Sequence, residues 1–517
     1  MTQFQDILVS TKLLGHISEG FYTSPAAAMK ELISNSFDAG ATRVDLTTNW
    51  PYFDIFTATD NGSGMEAADF RSLMRGGIGT SKKRVTGAPR PGYGRPTIGR
   101  LGVGVLAIGQ FCHSFQFESH HSGTRTAFSA TVSLTQKAPQ RLDESDPNRK
   151  KFDVGKFKVE RVPYDVERRG TRILSDDLKE SFIRKMAASV LLDGELKPPV
   201  QRDFVAFFQD VAQSRRGLAD AGEYAKLIWG LAHYAPVQYM NDGPIEGRRV
   251  AVEHKARLDA YKFEVIVDGC SLRKPVLLPS SRQTAQGGVA PRINPYSLHI
   301  DKTVLGERLE VKGYVAIQYG QAIQPPELRG LVIRVRDVAI GTYDRSLLGY
   351  PFVEGPRSEW VSGELYVVSG LEDALTAPRE TFDSLHPHYE QLQDAVFSTL
   401  HNRVFPDAYK GIAERTLARR EEAAAKLLID GQTLLEEELD LKLRVARGPT
   451  RVSSVPVEID LRRGRVTINE SYSWPRARAR RDVLQRVALA FEISRQLAGK
   501  AGSDQAEMFY RLLRRLV

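Results

Sequence analysis

Apolar positions along this chain recur with two periods, and the changes of period mark out its elements. In Pro25-Ala-Ala-Ala-Met29-Lys-Glu31-Leu-Ile33-Ser-Asn35-Ser-Phe-Asp38, Met29 and Ile33 fall on one side of a helix. At about 100° per residue, Glu31, Asn35 and Asp38 gather within roughly 60° of one another on the other side. Ser24 is placed to cap this helix, and Pro25 suits its first position. A period of two follows over 43–47 and 53–59, predicting a hairpin-like pair of strands. Short β-like and helical runs alternate in this way over the first ~175 residues, which read as one α/β unit. Leu178, Phe182 and Met186 predict a helix over 176–189. Strand-like runs at 263–267, 309–317 and 331–335 predict a second α/β domain. A Glu- and Arg-rich stretch carrying Leu427, Leu434, Leu435 and Leu439 predicts helix over 406–447. The chain then predicts a hairpin, 455–461 and 466–469, turning at Arg463-Gly464, and two helices, 481–497 and 505–516. The domains expected are therefore 1–190, 191–405, 406–447 and 448–517.

Composition narrows the class. The 517 residues are 42% hydrophobic and 26% charged, the proportions of a globular chain with sizeable cores. Cys112 and Cys270 are the only cysteines, too few for a disulfide scaffold or a zinc ribbon, so a reducing cytoplasmic setting is expected. The first residues lack the charged and apolar pattern of a signal peptide. No apolar run approaches the ~18 residues of a membrane span, so no membrane partner is expected.

Three stretches carry candidate chemistry. On the polar stripe, a carboxylate and a carboxamide one turn apart, Glu31 and Asn35, suit water activation beside a hard cation such as Mg²⁺. Asp38 adds a spare carboxylate, although a solvated amphipathic face would show the same stripe. Next, Asp60-Asn61-Gly62-Ser63-Gly64-Met65 ends a strand in a tight turn. There a ligand could approach the backbone, and Asp60 could accept a hydrogen bond from an amino group such as adenine's; an ordinary turn uses the same residues. Third, Gly76-Gly-Ile-Gly79-Thr80-Ser81-Lys82 and Gly99-Arg-Leu101-Gly102-Val103-Gly104-Val105 are glycine-rich and precede an apolar run. Such loops offer backbone N–H groups to phosphate, with Lys82 adding charge. The stretch 75–98 suits a mobile lid. Gly102-Val-Gly104 also fits a loose dinucleotide fingerprint, but no strand precedes it. His113, His120 and His121 lack carboxylates at metal-ligand spacing and read as core or surface histidines.

In order, Glu-x3-Asn-x2-Asp, Asp-x-Gly-x-Gly, the glycine loop and Gly170-Thr171-Arg-Ile173 resemble the four boxes of the GHKL ATPases. This superfamily includes DNA gyrase B, the heat-shock protein 90 chaperones, histidine kinases, MutL and MORC proteins. The resemblance spans roughly residues 10–190 and implies a Bergerat-type sandwich, with helices on a mixed sheet. It implies ATP and Mg²⁺ as cofactors, Glu31 as general base and Asn35 as the Mg²⁺ ligand. It further implies that Asp60 binds the adenine amino group with support from Gly64 and Thr171. Asp38, Gly62 and Met65 would complete the near side of the nucleotide. Thr80, Ser81, Lys82, Gly99, Leu101, Gly102, Val103, Gly104 and Val105 would enclose its phosphates. Glu31 through Arg43 looks especially like MutL.

The middle of the chain sets the branch. Gly330 to Ile340 reads as a strand pair, and Gly363-Glu-Leu-Tyr-Val-Val-Ser-Gly-Leu-Glu372-Asp-Ala-Leu-Thr-Ala-Pro378-Arg379-Glu380 looks like the heat-shock protein 90 middle domain. On that resemblance Arg379 reaches the γ-phosphate as a second catalytic group, much as an arginine finger does. Pro378 stands where the family has a small polar residue and stiffens the loop. The main expectation is an ATP-driven, heat-shock-protein-90-like clamp that pairs two copies when ATP binds and engages a client protein. The alternative is a MutL- or MORC-like nucleic-acid clamp or sensor in repair or defence against foreign DNA.

The net charge of +9 is unevenly spread. Residues 441–517 hold 17 Lys+Arg against 7 Asp+Glu, an excess of ten, so the other 440 residues sum to −1. Any nucleic acid or other anionic partner is therefore expected at the basic C-terminal module.

Overall fold

The computed structural model describes residues 3–10, 25–75, 95, 97–98, 107–135, 140–141, 151–188, 191–192, 195–196, 203–240, 252–276, 293–318, 322–376, 381–439, 442–451, 454–472, 481–498 and 504–516. The chain folds as two compact units, Met1–Ala408 and Tyr409–Val517. Both are built from helices on mixed sheets, an α/β architecture. No helix among the described residues is long and apolar enough to cross a membrane.

In the first unit a long sheet runs in the order Gln5–Ser10, Lys151–Val162, Thr126–Leu134, Cys112–His121, Gly170–Leu178, Phe56–Asp60, Arg43–Thr47, Glu264–Val267, Cys270–Ser271. All its pairings are antiparallel except Glu264–Val267 on Arg43–Thr47. The 263–267 run is thus a strand as expected, but it extends the N-terminal sheet, because Val265 and Val267 bury into the first core. The helix Pro25–Asp38 lies against this sheet, with Ala28, Met29, Leu32, Ile33 and Phe37 buried. It ends in a Schellman turn: Ala41 N–H donates to Ser36 O and Gly40 N–H to Phe37 O, both at 3.0 Å. Gly40 takes the left-handed conformation that this stop requires (φ +74°).

The helix expected over 176–189 begins later, at Glu180–Ala188. The preceding strand continues through Leu178 because Leu178 still pairs with Cys112, and Asp177 accepts a hydrogen bond from the Ser114 hydroxyl at 2.8 Å. Leu178, Phe182 and Met186 are all buried nonetheless, so the four-residue spacing reported burial across a strand-to-helix junction.

A second sheet runs Ile293–Val304, Glu307–Gln318, Val361–Ser369, Gly330–Val335, Val338–Asp344. Both its faces are covered. Tyr314, Val332 and Tyr366 join the first core, while Val315, Ile317 and Leu365 join a second one with the helix Pro387–Thr399. Every residue of Gly330–Val335 is consequently buried, as expected of a central strand.

In the second unit Arg444–Gly448, Arg465–Asn469 and Val457–Asp460 form a three-stranded sheet. The helix expected over 406–447 is Phe405–Leu439, and its last residues belong instead to the Arg444–Gly448 strand. The alternation Leu443, Arg444, Val445, with both apolar residues buried, explains the change. Arg481–Leu497 and Gln505–Leu516 are helical as expected. Leu427 and Leu435 are buried in this unit's own core with Leu489, Ile493 and Leu512.

Candidate active site

A cavity of about 450 Å³ opens between the Pro25–Asp38 helix and the first sheet. Its polar side is formed by Asn35 and Ser36 from the helix, Asp60 from the end of its strand, and Thr171 from the adjacent strand. Leu32, Ala58, Met65, Leu73, Phe117 and Ile173 supply an apolar slot. A flat heterocycle with one outward amino group suits such a lining.

Asp60 is fixed at this junction. Its Oδ2 accepts from the Ser36 hydroxyl at 3.0 Å and its Oδ1 from Gly62 N–H at 2.8 Å. Burial raises its pKa from the ordinary aspartate value, opposed by hydrogen bonds from Gly62, Ser36 and the Thr171 backbone. A carboxylate with little water gains most from a ligand donor.

The turn after Asp60 depends on glycine. Gly64 has φ +71°, and a Cβ there would stand 2.3 Å from His120 O. Across the sheet Gly170 has φ +112°, and its Cβ would stand 2.0 Å from Asp60 O. The Asp60 turn and the Gly170-Thr171 strand therefore meet backbone to backbone. Ser119 closes the joint: its hydroxyl accepts from Met65 N–H at 2.8 Å and donates to Gly170 O at 3.3 Å.

The structure thus brings together Asn35, Asp60, Gly64, Met65 and Thr171, with Gly62 bonded to Asp60 beside them. Glu31 sits one turn before Asn35 on the same helix, partly exposed and outside the cavity lining. Asp38 turns elsewhere: it is buried, and its Oδ1 accepts Ile98 N–H at 2.6 Å. Thr80, Ser81, Lys82, Gly99, Leu101, Gly102, Val103, Gly104, Val105 and Arg379 lie outside the described residues, as does Ser24. The chain on either side of Arg379 is pinned, with Leu375 bridged to Phe382 and Thr376 N–H donating to Thr381 O at 3.0 Å.

Sequence reasoning missed Ser36, Ser119 and His121. Ser36 and Ser119 act through hydroxyl contacts that span the fold. His121 lines the cavity, with its Nδ1 bonded to Thr124 Oγ1 at 2.9 Å. His120, by contrast, is buried between the Glu118 carboxylate (2.8 Å) and the Asp165 N–H (3.1 Å).

Residues 22–157 match the family described as histidine kinase-, DNA gyrase B-, and HSP90-like ATPase. Over 73 residues the chain is 40% identical to the DNA mismatch repair protein MutL of Rhizobium johnstonii, covering 14% of this chain and 12% of that protein. It is 42% identical over 73 residues to MutL of Rhizobium rhizogenes, covering 14% and 11%. The match thus spans about an eighth of the length of these curated relatives. A solved structure described as the N terminal domain of a DNA repair protein superposes with a TM-score of 0.39 at 13% identity, over 75% of this chain and 97% of that one. The chain carries an ATPase domain of the GHKL superfamily. Within that superfamily the chain has MutL features.

Proposed function

We propose that this chain is a Mg²⁺-dependent ATP hydrolase working as a MutL-like, ATP-driven clamp on nucleic acid. The observation that carries the reading is the cavity in which Asp60, Thr171 and Asn35 converge over an apolar slot. Identity to MutL proteins over 73 residues favours the MutL-like reading over a heat-shock-protein-90-like chaperone. In this reading Asp60 accepts the adenine amino group, and the apolar slot holds the ring. Asn35 lines the same cavity, and a carboxamide oxygen suits a hard cation shared with phosphate oxygens. Mg²⁺, when bound, neutralises phosphate charge. Glu31 holds and polarises the attacking water, and Arg379 approaches the γ-phosphate. Two copies pair when ATP is bound, and the basic C-terminal unit meets the nucleic acid.

Base selectivity tests the site. Guanine presents a carbonyl oxygen where adenine presents an amine, so wild-type protein should prefer ATP to GTP. Asp60→Asn should weaken ATP binding roughly ten- to hundredfold, the worth of a charged hydrogen bond, and narrow the gap to GTP. Titration with fluorescent ATP and GTP analogues checks both; unchanged affinities would remove Asp60 from this role.

Salt dependence tests the partner. Arg462, Arg463 and Arg465 at the hairpin turn are exposed, as are Arg511 and Arg514 in the last helix. Replacing these five with Gln should weaken DNA binding for every sequence. The slope of log affinity against log salt should flatten by about 0.9 for each phosphate that is no longer neutralised. An unaltered salt slope would place the nucleic acid elsewhere. Wild-type protein that binds no DNA at low salt, with or without ATP, would end the clamp reading.

A further inference from the structure

The turn joining Gly330–Val335 to Val338–Asp344 is made by Arg336 (φ +53°) and Asp337 (φ +67°). Two-residue hairpin turns of this hand are normally Asn-Gly or Asp-Gly, because both residues must adopt the left-handed conformation. An Arg-Asp pair is strained there, and such strain persists only where the surroundings hold it. Both side chains are held. Asp337 is buried, accepting the Tyr261 hydroxyl at 2.5 Å and Arg257 Nη2 at 2.9 Å. Arg336 donates through Nη1 to Thr97 O and lies 3.8 Å from the Glu372 carboxylate.

Thr97 belongs to a short segment anchored from three directions. Ile98 is buried, with its N–H donated to Asp38 at the end of the Asn35-bearing helix. Its side chain shares a small gap with Val335, Val338, Ile340 and Leu375. Arg95 is buried, donating to Ala41 O at 2.7 Å and Tyr261 O at 2.9 Å. Its guanidinium carbon stands 4.8 Å from the centre of the Phe37 ring, with the Tyr261 and Phe263 rings within 6 Å. This is a cation–π box rather than an ion pair. In sequence, Ile98 is followed directly by Gly99–Val105, and Glu372 precedes Arg379 by seven positions.

We propose that Arg336 is a positioning residue: from the turn of the middle sheet it fixes the backbone immediately before Gly99–Val105 relative to the Glu372 turn, which follows Val361–Ser369 and precedes Arg379 in sequence. The inference rests on the ATPase reading above, but the anchor itself exists without nucleotide. Arg336 contacts no substrate in this scheme. It sets the spacing between two groups that must meet across the phosphates, and phosphoryl transfer is sensitive to such placement.

Arg336→Gly separates positioning from stability, because glycine relieves the positive φ while removing the side chain's hydrogen bond and ion pair. Without nucleotide, amide hydrogen exchange over residues 95–98 should be about tenfold faster in Arg336→Gly and Arg336→Ala than in wild type. At saturating ATP both variants should lose about tenfold in kcat, with nucleotide affinity changed less than threefold. Arg336→Gly should melt at or above the wild-type temperature. Arg336→Lys, which keeps one donor, should recover part of the turnover. Unchanged exchange would overturn the anchor. Faster exchange with wild-type kcat, or a kcat loss that tracks a lower melting temperature, would overturn the positioning role. Wild-type protein that does not hydrolyse ATP would instead refute the ATPase reading, and the exchange result would still decide the anchor.

Discussion

Glu31→Ala should lower ATP turnover at saturating nucleotide by 10² to 10⁴, the usual contribution of a positioned general base. Three features make this loss chemical rather than structural. Glu31 is only partly exposed but does not belong to the core, whose residues on this helix are Ala27, Ala28, Met29, Leu32, Ile33 and Phe37. Alanine is the best helix former, so the helix should lose little at this position. Glu31 also lies outside the residues that line the cavity, so ATP affinity should shift by less than threefold. The variant should therefore bind nucleotide and fail to turn it over. If hydrolysis reopens a clamp, ATP-dependent retention on DNA should lengthen in the same variant. Steady-state turnover, a nucleotide titration and DNA dissociation in ATP measure the three consequences separately. Turnover equal to wild type would remove Glu31 from the reaction, whatever the DNA result.

The helix carrying Glu31 and Asn35 was legible because its burial is local and periodic: every third or fourth residue faces one sheet. The strand before Asp60 and the two final helices were legible for the same reason. Pairing across the chain was not. The alternation in Glu264–Val267 identifies a strand, yet nothing in those residues indicates that it lies parallel to Arg43–Thr47. Asp38 shows a subtler limit. Helical angle alone sets it beside Asn35, but its position in the last turn carries it past the cavity to Ile98 N–H. Ser36 and Ser119 were invisible because a hydroxyl becomes specific only when the fold supplies its partner. The same holds for Arg336: Gly330 to Ile340 reads as a strand pair, but nothing in Val335-Arg-Asp-Val338 indicates what holds its turn, since those partners come from 95–98, 252–261 and 372.

Charge gave the least direct guide. The neutral balance of residues 1–440 conceals a fully buried ionic network in the middle sheet. Arg334 and Glu364 are 1% and 0% exposed at their side chains, and they lie on neighbouring parallel strands. Arg334 donates Nε to Glu364 Oε2 at 3.1 Å and Nη2 to Oε1 at 3.2 Å, while Nη1 reaches His233 O at 2.9 Å. Three hydroxyls complete the carboxylate's shell, from Tyr239 (2.7 Å), Tyr343 (2.8 Å) and Tyr366 (3.0 Å). Lys274, also buried, donates to Ala235 O at 2.7 Å. On the other side, Tyr234 follows His233 in the helix Glu223–Tyr234 and bonds to Ser34 of the Glu31-bearing helix at 2.8 Å. The network therefore stands in the packing between the helices Pro25–Asp38 and Glu223–Tyr234 and the middle sheet.

Glu364→Gln should cost about 3–5 kcal/mol of unfolding free energy, because it leaves Arg334 charged and buried without its counter-ion. Burial by itself would raise the Glu364 carboxyl, but Arg334 and the hydrogen bonds outweigh it and hold the group well below the usual carboxylate range. Arg334→Met should cost a similar amount by stranding the carboxylate. The double variant Arg334→Met/Glu364→Gln should be more stable than either single one. It removes both charges, yet the Gln carbonyl oxygen still accepts from the tyrosines, which a Leu at 364 would leave unsatisfied. Urea unfolding of the four proteins measures the coupling; losses that simply add would show that the pair does not act as a unit. Acid should expose the same network in two stages. Burial lowers His254 to about 4, against partial compensation from Asp337, so the unfolded chain takes up a proton there that the folded chain refuses. Stability should therefore fall as pH drops from about 6.5 to 4, by up to about 3 kcal/mol from this group. Glu364 has the depressed carboxylate's sign: its contribution is complete above the unfolded value of roughly 4.3 and is lost below it. In Glu364→Gln the first stage should survive and the second should shrink. A wild-type stability flat from pH 7 to 5 would instead mean that His254 is charged in the folded protein, paired with Asp337 3.2 Å away.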